Sequence, residues 1–272
     1  MPDRYAVIGN PVAHSKSPRI HALFATQTGE DIDYGTLLAA KGAFASEVER
    51  FRATGGKGLN VTLPFKEEAY SLCSDVSPRA RAANAVNTLV FAGLEIRGDN
   101  TDGVGLTKDL AANLGFEIAG RRVLLLGAGG AARGVLLPLL GERPAVIAIA
   151  NRSVDKARAL LKVVEASRPG IAMARGYPEL TGEQFDLVIN ATSAGLSDGE
   201  LPLPPGLFSS HSLAYDMVYG RETLFMRHAR SNGASRVSDG LGMLVEQAAE
   251  SFFLWRGVRP STFPVLSALR AP

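Results

Sequence analysis

Residues 121 to 133 read Arg-Arg-Val-Leu-Leu-Leu-Gly-Ala-Gly-Gly-Ala-Ala-Arg. Val123 to Leu126 is a short apolar run of the kind a buried parallel strand shows, and Gly127-x-Gly129-x-x-Ala132 follows it into a helical segment. Dinucleotide binding requires that order. The first glycine permits a tight turn, the second lets backbone approach a pyrophosphate, and a small third residue lets the helix pack close to the strand. The pyrophosphate then rests on free N–H groups at the helix N-terminus. A second apolar run, Ala145 to Ala150, completes a β-α-β unit. A glycine turn alone also serves a strand–helix junction with no ligand, so it is the flanking elements that move the reading to a cofactor.

An NAD site places an Asp or Glu about 20 residues further on, against the ribose 2′-hydroxyl. Here the end of the second strand holds Asn151-Arg152-Ser153, with Lys156 one turn later and no carboxylate. A carboxylate repels a 2′-phosphate, whereas Arg152 and Lys156 pair with it. Two cations in a solvated loop are common on surfaces, but this loop is where the adenosine ribose belongs. The cofactor expected is NADP.

Composition narrows the class. A chain of 272 residues allows one large or two modest domains. The 29 basic and 27 acidic residues leave a net charge of only +2, without the basic footprint of a nucleic-acid binder. A single cysteine, Cys73, excludes an internal disulfide and fits a reducing, cytoplasmic setting. Four scattered histidines suggest no metal site. The apolar run after Met-Pro-Asp-Arg is too short for the core of a secretory signal. The most apolar stretch, Gly134 to Ala150, is broken by Gly-Glu-Arg-Pro at 141 to 144, so no membrane span is expected.

Before the glycine turn, strands are expected at Tyr5–Ile8, Tyr34–Leu38, Leu59–Leu63 and Leu89–Phe91. Helices should start at Ser17-Pro18, with Ser17 as N-cap, at Phe44, and at Pro64. This alternation argues for a parallel or mostly parallel sheet. Asp102 begins a connecting helix with Leu106, Leu110 and Leu114 on one face. Beyond Ala150 the pattern predicts a helix at Val154–Ala166 and strands at Ile171–Ala174, Asp186–Asn190 and Leu213–Val218. A long loop should run from Thr192 to Ser212, and an apolar helix over Leu241–Trp255.

Four polar clusters fall at element ends, where α/β proteins build sites. Ser15 and Ser17, before a helix N-terminus, can address one anion, or Ser17 merely caps the helix. Asn60 and Thr62 share a strand face ahead of Lys66, a lysine on the unfavourable side of the helix dipole that is either an indifferent surface cation or held there for a purpose. Asn84-Ala-Val-Asn87-Thr88 leads into a strand. Asp99-Asn-Thr-Asp102-Gly103 either contributes to a site or only caps a helix. None of the four proves a site alone.

Together these stretches resemble the shikimate dehydrogenase family, NADP-dependent enzymes of aromatic amino-acid biosynthesis, over essentially the whole chain. The matching motifs are His-Ser-Lys-Ser-Pro at 14–18, Asn-Val-Thr-Leu-Pro-Phe-Lys at 60–66, Ala-Val-Asn-Thr at 85–88, Asn-Thr-Asp-Gly at 100–103 and Gly-Ala-Gly-Gly-Ala at 127–131. Asn-Arg-Ser at 151–153, Asn-Ala-Thr-Ser-Ala-Gly at 190–195, Tyr-Asp-Met-Val-Tyr at 215–219 and Asp-Gly-Leu-Gly-Met-Leu at 239–244 continue the series. A mild departure is Ala82-Ala83-Asn84, where relatives more often carry a glycine; it concerns the local turn.

The resemblance implies two α/β domains flanking a cleft. One is a discontinuous substrate domain, residues 1–102 completed by helices within 240–272, and the other a Rossmann-type NADP domain, 103–239. It implies Lys66 and Asp102 as catalytic pair, Ser15 and Ser17 on the substrate carboxylate, Thr62, Asn87 and Gln247 on ring hydroxyls, and Tyr219 reaching toward the substrate. Glu246, facing another side of its helix, would be free to vary. Gly127, Ala128, Gly129, Gly130 and Ala131 would hold the pyrophosphate, and Asn151, Arg152, Ser153 and Lys156 the 2′-phosphate side. Thr192, Met217 and Gly240 would face the ribose and nicotinamide.

The implied reaction is reversible reduction of 3-dehydroshikimate to shikimate by a monomer or homodimer. Hydride reduction of a ketone leaves an alkoxide that an ammonium stabilises and protonates, which suits Lys66. The competing readings are a quinate/shikimate enzyme of dual substrate or cofactor use, and a non-catalytic NADP-binding regulator on the same fold. Methylenetetrahydrofolate dehydrogenase shares the two-domain plan, but Ser-x-Ser and Asn-Thr-Asp-Gly do not suit it.

Overall fold

The computed structural model describes residues 1–192 and 201–271; Ser193, Ala194 and Gly195 of the 190–195 motif lie outside the described residues. In chain order the elements are β1 (Asp3–Gly9), α1 (Ser17–Thr28), β2 (Ile32–Leu38), α2 (Phe44–Ala53), β3 (Gly56–Val61), α3 (Lys66–Leu72), β4 (Asp75–Val76), α4 (Pro78–Ala83), β5 (Thr88–Ala92), β6 (Glu95–Asp99) and α5 (Asp102–Lys108). There follow β7 (Arg122–Leu126), α6 (Gly130–Gly141), β8 (Val146–Ala150), α7 (Val154–Ser167), β9 (Ala172–Arg175), β10 (Phe185–Asn190), β11 (Phe208–Asp216), α8 (Leu224–Ser231), β12 (Arg236–Ser238), α9 (Leu241–Arg256) and α10 (Phe263–Arg270). The chain divides into two compact units, Met1–Gly105 with Leu244–Pro272, and Leu106–Met243.

The second unit holds a wholly parallel sheet in the order β12-β11-β10-β7-β8-β9. Counted from β7 this is 3-2-1-4-5-6 read backwards, the doubly wound order of dinucleotide-binding folds. Alternate residues serve opposite faces. Val123, Leu125, Ile147, Ile149, Leu187 and Ile189 enter one core, while Leu124, Leu126, Ala148, Ala150 and Val188 enter the other. Burial on both faces is why these strands read as unbroken apolar runs.

The first unit departs from the expected parallel sheet. Its order is β2-β1-β3-β5-β6-β4; β1 is parallel to β2 and β3, and β4 to β6, but β3–β5 and β5–β6 are antiparallel. The β5–β6 reversal comes from a two-residue hairpin loop, Gly93-Leu94, with Gly93 at φ +62°. Positive φ at the first loop residue is what a type II′ turn needs, and glycine supplies it without steric cost. Helix α2 covers one face of this sheet through Phe44, Val48 and Phe51, and α3 through Ala69 with Phe65 just before it. Along α9, Trp255 stacks on Tyr5 of β1 and donates to the Leu89 carbonyl of β5 at 3.0 Å. Arg256 pairs with Asp3 and Glu30.

Several local expectations shift. Ser17 is the first helical residue of α1 rather than its N-cap; the cap is Lys16, and the Ser15 hydroxyl accepts the Ser17 amide at 3.2 Å. Strand β3 stops at Val61, and Pro64 lies in the turn before α3, which begins at Lys66. The connecting helix ends in a π turn, Asp109–Asn113. Strand β11 begins at Phe208, within the stretch expected to be loop up to Ser212, and ends at Asp216 rather than Val218. Gly240 sits just ahead of α9, and Glu246, expected to be unconstrained, is buried. At Ala82-Ala83-Asn84 the turn is made by Asn84 at φ 49°, a left-handed conformation that asparagine tolerates better than most residues.

Candidate active site

In the first unit, polar groups from four separate segments converge. Lys66 opens α3, where its charge opposes the helix dipole, and its Nζ donates to Asp102 Oδ2 at 2.6 Å. The Asp102 side chain is 9% exposed and that of Lys66 22%. Asp102 is the first residue of α5, and its amide donates to Asn100 Oδ1 at 3.2 Å. Its other oxygen, Oδ1, accepts Asn87 Nδ2 at 2.8 Å. Both carboxylate oxygens are therefore engaged by donors, one of them the lysine that projects into partial solvent.

Asn87 is the hub of this cluster. Its amide nitrogen also reaches Thr101 Oγ1 at 2.9 Å and Gln247 Oε1 at 3.2 Å, while its oxygen accepts the Thr101 amide and the Thr88 hydroxyl, each at 2.9 Å. Gln247, on α9, donates to the Leu244 carbonyl at 2.9 Å. Deeper, Asn60 and Thr88 from the polar clusters join Tyr34 and Ser251, two residues that sequence reading missed. Asn60 Nδ2 donates to Ser251 Oγ at 3.0 Å, and its Oδ1 accepts the Tyr34 hydroxyl at 2.7 Å. Thr88 and Ser251 hydroxyls meet at 2.8 Å. The available signal was compositional: Glu246, Gln247, Glu250 and Ser251 interrupt an otherwise apolar helix, and all four are buried. Buried polar groups persist only when partnered, so such residues mark a network.

Ser15 and Ser17 lie together at the start of α1, with Ser17 buried. Thr62 follows β3 and keeps its ladder bond, its amide donating to the Ile8 carbonyl at 2.9 Å. Lys66, Asp102, Asn87 and Gln247 thus form one hydrogen-bonded cluster, whereas Ser15, Ser17 and Thr62 make no direct side-chain bond to it among the described residues.

In the second unit, Gly127 ends β7 at φ +107°, and a Cβ there would stand 3.1 Å from the Ala191 carbonyl oxygen and 3.2 Å from the Thr192 methyl. The turns after β7 and β10 touch at this glycine, at the switch point of the strand order. Gly129 caps α6 without any side-chain cap bond, and a Cβ on Gly129 or Gly130 would meet nothing within 4 Å. Open space over free N–H groups is what a pyrophosphate needs. Ala128 and Ala131 flank it, and Ala132 is fully buried.

Thr192 is fixed by Asn190, whose Oδ1 accepts its hydroxyl at 2.7 Å and its amide at 3.1 Å. At the end of β8 the Asn151 side chain folds onto the Ser153 carbonyl at 2.9 Å, while Arg152, Ser153 and Lys156 are exposed. Neither Arg152 nor Lys156 forms an ion pair among the described residues, so both are free to meet an anion. Past β11, Met217 and Tyr219 are half-buried, and burial pushes the Tyr219 hydroxyl above its usual range. Gly240 packs on Met217 so closely that a Cβ would lie 2.4 Å from its carbonyl oxygen. These groups fit a dinucleotide with a 2′-phosphate.

No helix among the described residues is long and apolar enough to cross a membrane. Residues 7–89 match the shikimate dehydrogenase substrate binding domain, 109–197 the shikimate/quinate 5-dehydrogenase family, and 240–270 the shikimate 5′-dehydrogenase C-terminal domain. The chain is 60% identical over 269 residues to the shikimate dehydrogenase (NADP(+)) of Methylobacillus flagellatus, covering 99% of each chain. A solved enzyme from Pseudomonas putida is 47% identical, with a TM-score of 0.93 over 99% of each chain. Shikimate 5-dehydrogenase of Thermus thermophilus, solved with NADP(H) and shikimate, is 34% identical, with a TM-score of 0.86 over 98% of each chain.

Proposed function

The chain belongs to the shikimate dehydrogenase family, and from that premise we propose that it catalyses the reversible NADPH-dependent reduction of 3-dehydroshikimate to shikimate, as a monomer or homodimer in the cytoplasm. The observation that carries the reading is the Lys66–Asp102 pair, held at 2.6 Å inside a buried polar web and backed by Asn87.

NADPH, when bound, supplies the hydride. The chain's own residues supply the rest. As the ring ketone becomes an alkoxide, the Lys66 ammonium stabilises the growing charge and delivers a proton from Nζ; in the reverse direction neutral Lys66 takes it from the alcohol. Asp102 aims Lys66 and accepts a hydrogen bond from the adjacent ring hydroxyl, while Asn87, Thr62 and Gln247 fix the ring. Ser15 and Ser17 hold the carboxylate at the N-terminus of α1, where the dipole favours an anion, and Tyr219 reaches toward the substrate. Gly127 to Ala131 hold the pyrophosphate, and Thr192, Met217 and Gly240 face the ribose and nicotinamide. Asn151, Arg152, Ser153 and Lys156 select the 2′-phosphate.

The test is a purified-protein assay with shikimate and quinate, each against NADP and NAD, followed by nicotinamide absorbance. Shikimate with NADP should be the preferred pair by a wide margin, and equal use of quinate or NAD overturns the assignment. Lys66→Ala should lower turnover by about 10²-fold or more while sparing NADP affinity, the scale of a lost acid–base group. A variant keeping half of wild-type turnover removes Lys66 from the chemistry.

A further inference from the structure

The N-terminal turn of α9 is held by two buried side chains that the reaction does not use. Asp109 is the first residue of the π turn that follows α5, and the Leu114 amide closes that turn on the Asp109 carbonyl at 3.0 Å. The carboxylate is 1% exposed. Its Oδ1 accepts Asn113 Nδ2 at 2.9 Å, and its Oδ2 accepts the Tyr215 hydroxyl at 2.6 Å. Tyr215 is fully buried on β11, two residues before Met217. Burial and the adjacent Asp109 carboxylate hold its hydroxyl well above the usual tyrosine value, so it remains the donor, and the Met243 amide of α9 lies against the same oxygen.

Gly242 completes the contact. A Cβ there would stand 1.8 Å from Asp109 Oδ1, so α9 rests its bare backbone on the carboxylate. An anion at the first turn of a 16-residue helix is in the favourable place for the helix dipole. The same turn carries Gly240, whose amide donates to the Val218 carbonyl at 3.1 Å and whose α-carbon packs on Met217. The π turn, β11 and the start of α9 are thus locked together one residue pair away from the Met217–Gly240 surface. π turns of this kind occur frequently at functional sites.

We propose that Asp109 and Tyr215 form a latch of positioning residues that sets the Met217–Gly240 surface against which the nicotinamide lies. The inference rests on the NADP reading above and extends it, because neither residue touches the cofactor. Loss of the latch displaces the wall for the nicotinamide half alone and leaves the pyrophosphate turn at Gly127 and the Arg152–Lys156 loop in place.

The experiment uses the full chain and two ligands, NADPH and 2′,5′-ADP, which lacks the nicotinamide half, each titrated by fluorescence or calorimetry. Tyr215→Phe keeps the ring and removes the donor; Asp109→Leu removes the acceptor; Asp109→Asn keeps an oxygen able to accept the tyrosine hydroxyl. Tyr215→Phe and Asp109→Leu should weaken NADPH several-fold or more, with 2′,5′-ADP changed less than twofold, and Asp109→Asn should restore much of the loss. Turnover should fall with the Michaelis constant for shikimate little changed. Equal weakening of both ligands, or no change in NADPH affinity, overturns the latch. Should Asp109→Leu not fold, Tyr215→Phe and Asp109→Asn carry the same comparison. Wild-type protein that binds NADPH no better than 2′,5′-ADP would instead overturn the cofactor-surface reading beneath it, an outcome visible before any variant is made.

Discussion

Replacing His21 with leucine should remove one source of this protein's acid sensitivity without costing stability at neutral pH. His21 lies on α1, one turn after Ser17, fully buried and stacked on Tyr34 at 4.1 Å with the rings 7° from parallel. Neither ring nitrogen makes a well-formed hydrogen bond, and the Asn60 side chain is the one polar group that acts on the ring. Burial pushes the imidazole down to about 3 from 6.5, with the Asn60 side chain opposing this only in part. The folded protein therefore keeps His21 neutral, whereas the unfolded chain takes up a proton below about pH 6.5. Stability from this group is complete above that value and is lost as pH falls toward 3.

At about 1.36 kcal/mol per pH unit, the loss is about 2 kcal/mol by pH 5 and approaches about 5 kcal/mol near pH 3. At pH 7, His21→Leu forfeits a ring stack worth about 0.5–1.5 kcal/mol. It also removes two stranded polar atoms, each costing on the order of 1–3 kcal/mol. The stranded atoms outweigh the lost stack, so the variant should be at least as stable as wild type at pH 7. The assay is urea unfolding of wild type and variant at pH 7 and pH 5, read as the difference between them, which cancels the carboxylates common to both. That difference should move by about 2 kcal/mol in favour of the variant at pH 5. A difference independent of pH would show that His21 is not the buried neutral base described, and would refute the reasoning.

Other expectations concern the site. Asp102→Asn places an amide where both carboxylate oxygens now accept donors, Lys66 at 2.6 Å and Asn87 at 2.8 Å, so one contact becomes donor against donor. Turnover should fall by roughly 10²–10⁴-fold, and a loss confined to the Michaelis constant would contradict the pairing. Ser15→Ala with Ser17→Ala should raise the Michaelis constant for shikimate strongly and spare NADP binding; normal shikimate affinity would leave these hydroxyls as helix-start groups only. Arg152→Ala should weaken NADP by about 10- to 150-fold, the equivalent of a charge-assisted contact of ~1.5–3 kcal/mol. NAD should hardly respond, and parallel losses for both cofactors would place Arg152 outside the 2′-phosphate site.

What could be read from the sequence alone was what local chemistry decides. The strands around the glycine turn announced themselves because both faces are buried, leaving Val123–Leu126 and Val146–Ala150 without a polar residue to interrupt them. The polar clusters at 14–18, 60–66, 84–88 and 99–103 stood out because loops at strand ends had no other need of them. The hairpin β5–β6 was missed because Gly93-Leu94 is a weak turn signal beside Asn-Gly or Asp-Gly, and with it went strand β6 and its antiparallel pairing. Positions within a cluster were legible, but partners were not. Only the tertiary structure brings Lys66 to Asp102, Asn87 to Gln247 across 160 residues, and Asn60 to Ser251 across 191. Side-chain hydrogen bonds act over about 3 Å, a distance that sequence separation says nothing about, and for Asn87–Gln247 and Asn60–Ser251 it is the packing of α9 on the first sheet that closes it.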